Sequence, residues 1–219
     1  MRPRRSPSTW IVVALIQAGC GGLGSDPPQV APAVQGPGGV REHVVARGPY
    51  KAFYDKTGRL ERIEYDTNGD GRADRITHHH GAKAPQRVDV DVDFDGTIDR
   101  WEDFGEDGKL RRYAVAEQDG RPRLWTIVDD NGAPTRYEYD RDVDGRFERA
   151  EIVENGRIAR VELDTDRDGR VDRWQEWKAG RMVSESIDTD GDGKPDRRLR
   201  YGPKGAFAGV ETLASKGTP

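Results

Sequence analysis

Residues 188–196 read Asp188-Thr189-Asp190-Gly191-Asp192-Gly193-Lys194-Pro195-Asp196, an acid at every second position, then a glycine, then a last acid three residues on. Counting Asp188 as position 1, the acids fall at 1, 3, 5 and 9 and the turn glycine at 6. The pattern returns as Asp66, Asn68, Asp70, Gly71, Asp74; as Asp91, Asp93, Asp95, Gly96, Asp99; as Asp140, Asp142, Asp144, Gly145, Glu148; and as Asp164, Asp166, Asp168, Gly169, Asp172. A copy starting at Val115 keeps the period but retains only Glu117, Asp119 and Gly120. Successive starts lie 25, 24, 25, 24 and 24 residues apart. Self-similarity at a fixed short period marks a repeat array, so one unit decides the architecture. A seventh, decayed copy is expected from about Arg41.

A second glycine recurs within each copy, at Gly58, Gly81, Gly108, Gly132, Gly156, Gly180 and Gly205. Contexts such as Asp130-Asn131-Gly132 and Glu154-Asn155-Gly156 are turn chemistry. Each repeat therefore has two turns with a short run between them, too short for a helix of ordinary length. The runs alternate. Ile63 and Tyr65, Val88 and Val90, Tyr137 and Tyr139, and Val161 and Leu163 share one face, with Glu64, Asp89, Glu138 and Glu162 on the other. A period of two is a half-buried strand. Trp101, Phe104, Trp125, Trp174 and Trp177 follow the acidic turns. The expectation is an all-β antiparallel meander of about a dozen short strands, one twisted or curled sheet with the acidic loops along one edge.

Carboxylates at alternate positions around a sharp turn wrap a hard cation that takes six to eight oxygens, which is the chemistry of calcium. Positions 1, 3 and 5 offer side-chain oxygens, position 7 a carbonyl, and position 9 closes the site. Two copies also match the twelve-residue EF-hand loop, with Glu102 and Glu151 at position 12. The D-x-D-x-D-G-x-x-D turns between strands resemble the calcium-binding hairpin loops of integrin-type FG-GAP repeats and of thrombospondin type 3 repeats. That resemblance implies calcium ligation by the acids named above. The alternative is an array of acidic surface turns neutralised by Arg75, Arg100, Arg149, Arg173 and Arg197, which occupy position 10. Expected affinities are modest, with Kd on the order of 10⁻⁴ to 10⁻³ M. The segment Phe53-Tyr54-Asp55-Lys56-Thr57-Gly58-Arg59-Leu60 resembles one unit of the YD-repeat proteins, which agrees with a meander.

Arg2, Arg4 and Arg5 precede an apolar run from Trp10 to Ala18, a pattern that reads as a secretory signal over residues 1–19. Ile16-Gln17-Ala18-Gly19-Cys20 resembles a bacterial lipobox, which implies lipidation of Cys20, the single cysteine of the chain. Residues 20–40, rich in Gly and Pro, read as a tether; 41–212 as the repeat domain; 213–219 as a tail. These features place the protein in the cell envelope, lipid-anchored in the outer membrane.

Composition agrees with a metal-supported array. Of 219 residues 33% are apolar and 35% charged, and mean hydropathy is −0.91. Such a chain holds less apolar material than an ordinary domain, and metal is the expected support. The 36 basic and 40 acidic residues interleave, so the chain offers no basic patch for nucleic acid. No nucleophile–base constellation is visible. The triplet His78-His79-His80 reads as an exposed turn. The expected role is therefore a non-enzymatic calcium-binding module, structural or adhesive, with a protein or glycan partner at the cell surface. The alternatives are a calcium buffer or sensor, and an accessory subunit of an envelope or secretion assembly.

Overall fold

The computed structural model describes residues 29–35 and 41–213, with side chains from His43 onward. The expected signal segment and Cys20 lie outside the described residues. Among the described residues the strands are β1 (Gln29–Gln35), β2 (Arg41–Arg47), β3 (Tyr50–Tyr54), β4 (Leu60–Tyr65), β5 (Arg75–His78), β6 (Arg87–Val90), β7 (Arg100–Phe104) and β8 (Leu110–Ala116). The second half adds β9 (Pro122–Val128), β10 (Pro134–Tyr139), β11 (Arg149–Glu154), β12 (Arg157–Leu163), β13 (Arg173–Lys178), β14 (Arg181–Ile187), β15 (Arg197–Tyr201) and β16 (Phe207–Thr212). All sixteen form one open antiparallel sheet whose spatial order is the sequence order. Sixteen exceeds the expected dozen because the six copies from Asp66 onward supply β5–β16, the decayed first copy supplies β2, β3 and β4, and β1 adds a strand at the N-terminal edge. The N-terminal edge strand, β1, runs within the segment expected to be a tether. Its pairing with β2 shifts register between Ala31 and Val34, around Pro32, which an edge strand tolerates.

Register confirms the two-residue period. One face carries the cross-strand row Ile63, Thr77, Val88, Glu102, Tyr113, Thr126, Tyr137, Glu151, Val161, Gln175, Glu185. The other carries Glu64, Ile76, Asp89, Trp101, Ala114, Trp125, Glu138, Ala150, Glu162, Trp174, Ser186. Among the described residues substantial packing joins only strands that are neighbours in the sheet, so these residues form a single layer. Its most deeply buried apolar residues are small or medium side chains, among them Val88 and Val161, and Ala114 between Trp101 and Trp125. Directly opposed residues lie about 5 Å apart, close enough for a Trp to cover an Ala.

Arginines take over the task of a second layer. Arg62, Arg87, Arg112, Arg136 and Arg160 recur on one face of alternate strands. Arg62 lies 3.6 Å over the Phe53 ring and Arg112 4.4 Å over Trp125. Their heads pair with Glu64, Asp89, Asp103 and Glu138 at 2.6–2.9 Å. Partly exposed pairs of this kind stabilise weakly one by one, by about 0–1 kcal/mol. Their stems cover apolar surface that water would otherwise reach.

Candidate metal centres

An up-and-down meander sends alternate turns to opposite rims. The turns after β4, β6, β8, β10, β12 and β14 share one rim, and these are the acidic ones. Adjacent acidic turns are separated by two strands, about 10 Å.

Each turn is wound around its first acid. The Asp91 carboxylate accepts from the N–H groups of Phe94 and Gly96, both at 2.8 Å; Asp164 accepts from Arg167 and Gly169 at 2.7 and 2.8 Å. Asp66 and Asp188 do the same with Gly69, Gly71 and with Gly191, Gly193, while Asp140 accepts from Asp144 and Gly145. This winding puts position 4 in the left-handed region even where no glycine is present: φ is 65° at Phe94, 62° at Val143 and 63° at Arg167. Position 6 is left-handed and glycine in all five strong copies, with φ of 84–93°.

The ninth residue completes each turn with one oxygen. Asp99 accepts from Val92 N–H at 2.7 Å, Glu148 from Arg141 at 2.9 Å, Asp172 from Thr165 at 2.8 Å, and Asp196 from Thr189 at 3.0 Å; Asp74 accepts from Thr67. The second oxygen is left over. Oδ1 of Asp74, Asp172 and Asp196 and Oε1 of Glu148 are buried and accept no hydrogen bond. Arg173 Nε stands 3.9 Å from Asp172 Oδ1, an electrostatic approach without a hydrogen bond. Asp74 as a whole is only 3% exposed.

Three acids converge in each of the five turns, with one ligand atom apiece inside a 4.8 Å cluster. The groups are Asp66, Asp70, Asp74; Asp91, Asp93, Asp99; Asp140, Asp142, Glu148; Asp164, Asp166, Asp172; and Asp188, Asp190, Asp196. Asp95, Asp144, Asp168 and Asp192, expected as ligands at position 5, fall outside these clusters. Their Oδ1 atoms accept the N–H of position 7 at 2.7–2.8 Å, a bond that Asp70 also makes within its cluster. Asn68 Oδ1 is likewise engaged, by Asp70 N–H at 2.8 Å.

Backbone donors lower the pKa of three of the cluster acids, Asp70, Glu148 and Asp188. The N–H of Arg72 holds Asp70 below the usual carboxylate range. Burial pushes Asp188 up, but the N–H groups of Gly193 and Gly191 outweigh it and the pKa is lowered. Burial likewise opposes ionisation of Glu148, and the N–H of Arg141, with help from Arg167, lowers it. Two such charges about 4 Å apart repel by about 1 kcal/mol in water and about 4 kcal/mol at the effective dielectric of a protein surface. A divalent ion among them removes that repulsion. The donor set, all oxygen and partly buried, fits a hard cation and can hold one.

Two of the five arginines at position 10 turn away from the acids, while Arg173 stands 3.9 Å from the turn acid Asp172. Arg100 pairs with Glu102 and Arg149 with Glu151, both at 2.7 Å, along the same strand. These are the two glutamates that sequence places at the closing position of an EF-hand loop. Strand pairing carries them onto the sheet face, away from the turn. His78 pairs with Asp89 at 3.0 Å, and His79 is buried with Nδ1 unpartnered; among the described residues the histidines join no cluster of metal-ligating side chains.

No family model matches this chain, and no curated protein matches it. Among solved structures it is similar to an S. aureus TarM mutant in complex with fondaparinux, α-GlcNAc-glycerol and UDP, at TM-score 0.30 and 10% identity, over 56% of this chain and 21% of that one. A second TarM structure gives 0.29 and 11%, over 53% and 20%. Accessory secretory protein 1, 2 and 3 of Streptococcus pneumoniae gives 0.21 and 14%, over 65% and 19%. The chain spans about a fifth of the length of the chains it matches, and at these scores the likeness carries no argument about activity or partner.

Proposed function

We propose that the chain is a non-enzymatic calcium-binding repeat module of the cell envelope, its acidic rim loaded with up to five ions. The observation that carries this reading is the leftover ninth-position oxygen, buried and without a hydrogen bond in four of the five turns. A buried carboxylate oxygen without a donor is costly, and turns that served only as surface connections would leave it facing water. A cation inside the turn supplies the missing partner for it and for the other two acids. The alternative of arginine neutralisation is weakened, because Arg100 and Arg149 are engaged along their own strands, and Arg173 and Arg167 reach the cluster acids Asp172 and Asp142 only at 3.9 and 3.5 Å, longer than a close ion pair. Anchoring through Cys20 rests on the lipobox-like pattern, and display of the rigidified sheet to a protein or glycan partner follows from that position.

A buffer or sensor role is the second reading. The exposed large apolar side chains Tyr50, Phe94, Val115, Ile158 and Phe207 lie on five separate strands and turns.

Calorimetric titration of the chelator-treated chain with calcium, with a thermal melt in each state, tests the proposal. Several binding events and a marked rise in melting temperature are expected. At a free concentration 100 times Kd each independent site adds about 2.7 kcal/mol. Absence of binding heat together with unchanged melts would refute calcium loading.

A further inference from the structure

The third acidic turn lacks the first acid of the others and reverses the charge of the last. Backbone pairing identifies its ninth position. In the strong turns the first residue donates to the carbonyl of the preceding copy's ninth: Asp91 to Asp74 at 2.8 Å, Asp164 to Glu148 at 3.0 Å. By the same bonds Ala116 donates to Asp99 and Asp140 donates to Arg123, at 2.7 and 2.9 Å. Ala116 is therefore the structural first residue of this turn, one later than sequence spacing gives, and Arg123 is its ninth. The turn is one residue shorter than the rest.

Where the other copies place a carboxylate, Arg123 supplies a guanidinium, and it is fully engaged. It donates to both Asp119 oxygens at 2.8 and 2.6 Å, to Glu117 Oε2 at 3.3 Å, and through Nε to the Arg141 carbonyl at 3.0 Å. The two acids retained by this copy thus converge on a positive centre, as the acids of the other turns converge on one another. Arg141 is the second residue of the next turn, so the same side chain also ties the two turns together.

We infer that Arg123 is a built-in substitute for the metal ion, and that this centre divides the rim into a metal-dependent pair of turns and a metal-dependent trio. The division rests on the calcium reading; the role of Arg123 does not. A chelator removes ions from the flanks but cannot remove a side chain. On calcium withdrawal the sheet loosens from both sides while β8 and β9 stay closed.

Hydrogen exchange on the full chain, with calcium and with chelator, tests this in wild type and in Arg123→Met. In wild type with chelator the amides of β8 and β9 are expected to keep their protection, while those flanking the other turns lose tenfold or more. Arg123→Met is expected to lower protection of β8 and β9 by a similar factor with and without calcium. Loss in wild-type β8 and β9 equal to that of the flanks, or no effect of Arg123→Met, overturns the inference. If calcium protects no strand at all, the calcium reading fails, while an equal loss from Arg123→Met in both states still upholds the arginine. Should Arg123→Met not fold, Asp119→Asn reads the same contact, and a protein unaffected by it in either state overturns the proposal.

Discussion

Asp172 uses one oxygen to hold Thr165 N–H at 2.8 Å and keeps the other buried without a hydrogen bond. These two jobs separate in the variant Asp172→Asn. Its amide oxygen still accepts the Thr165 N–H, but the cluster loses a charge that a cation needs and that a cation-free turn suffers from. The expected result is a change of sign: a lower melting temperature than wild type in calcium, and an equal or higher one in chelator. Val143 poses a different problem. A β-branched residue at φ 62° is held by about 1–2 kcal/mol of steric cost. Gly69 and Gly191 occupy the same position in other copies, so Val143→Gly is expected to stabilise the protein by about 1 kcal/mol, net of the glycine's entropy. Denaturant melts check this, and destabilisation would mean that Val143 contributes packing the turn needs. The acids of positions 1 and 9 were legible in sequence because their spacing repeats. The left-handed fourth position was not, since Phe94, Val143 and Arg167 are residues that avoid that region in isolation.

At the level of the turn, hydrogen bonds give a second source of order. On the rim opposite the acids, Asp55 accepts from the Thr57 hydroxyl and from the N–H groups of Thr57 and Arg59, and its pKa is lowered to about 2, the Thr57 hydroxyl contributing most. In the third acidic turn Arg123 lowers Asp119 to about 2. Both folded values lie below the unfolded one, about 3.9. Their stabilisation is thus fully present above about pH 4 and is lost as pH falls through about 2. Carboxyl NMR titration of Asp119 should follow that range in wild type and return toward the ordinary value in Arg123→Met. The sheet edge is the other element with a consequence. β16 leaves Phe207 62% and Val210 58% exposed and holds no Lys or Pro. Unprotected edges template further pairing, so Val210→Lys is expected to lower self-association in sedimentation at high concentration. The two turns per repeat could be read from paired glycines, all seven of which take positive φ on the rim opposite the acids. The arginine ladder escaped that reading, because one Arg per copy among many charges has no visible register until the strands are paired.

Over the whole molecule, charge and layering decide the behaviour. The chain carries a formal −4, and five divalent ions would outweigh it, so calcium is expected to reverse its electrophoretic direction near neutral pH. Magnesium, which demands tighter octahedral geometry and keeps its water, is expected to do so far less. The meander was legible because every copy obeys the same two-residue alternation. That the described residues form a single layer was not, since alternation describes each face without saying whether anything lies against it.

The order of the strands also sets how the molecule would carry tension. The first and last strands form opposite margins of the sheet, about 70 Å apart at ordinary strand spacing. A pull between them runs across the strands and along the hydrogen bonds, loading one pair at a time. Such a sheet opens like a zip rather than shearing, one hairpin after another, each 24- or 25-residue unit paying out about 80 Å of chain. An ion at the rim is then a stop on the zip, and the arginine turn is the one stop that calcium withdrawal leaves in place.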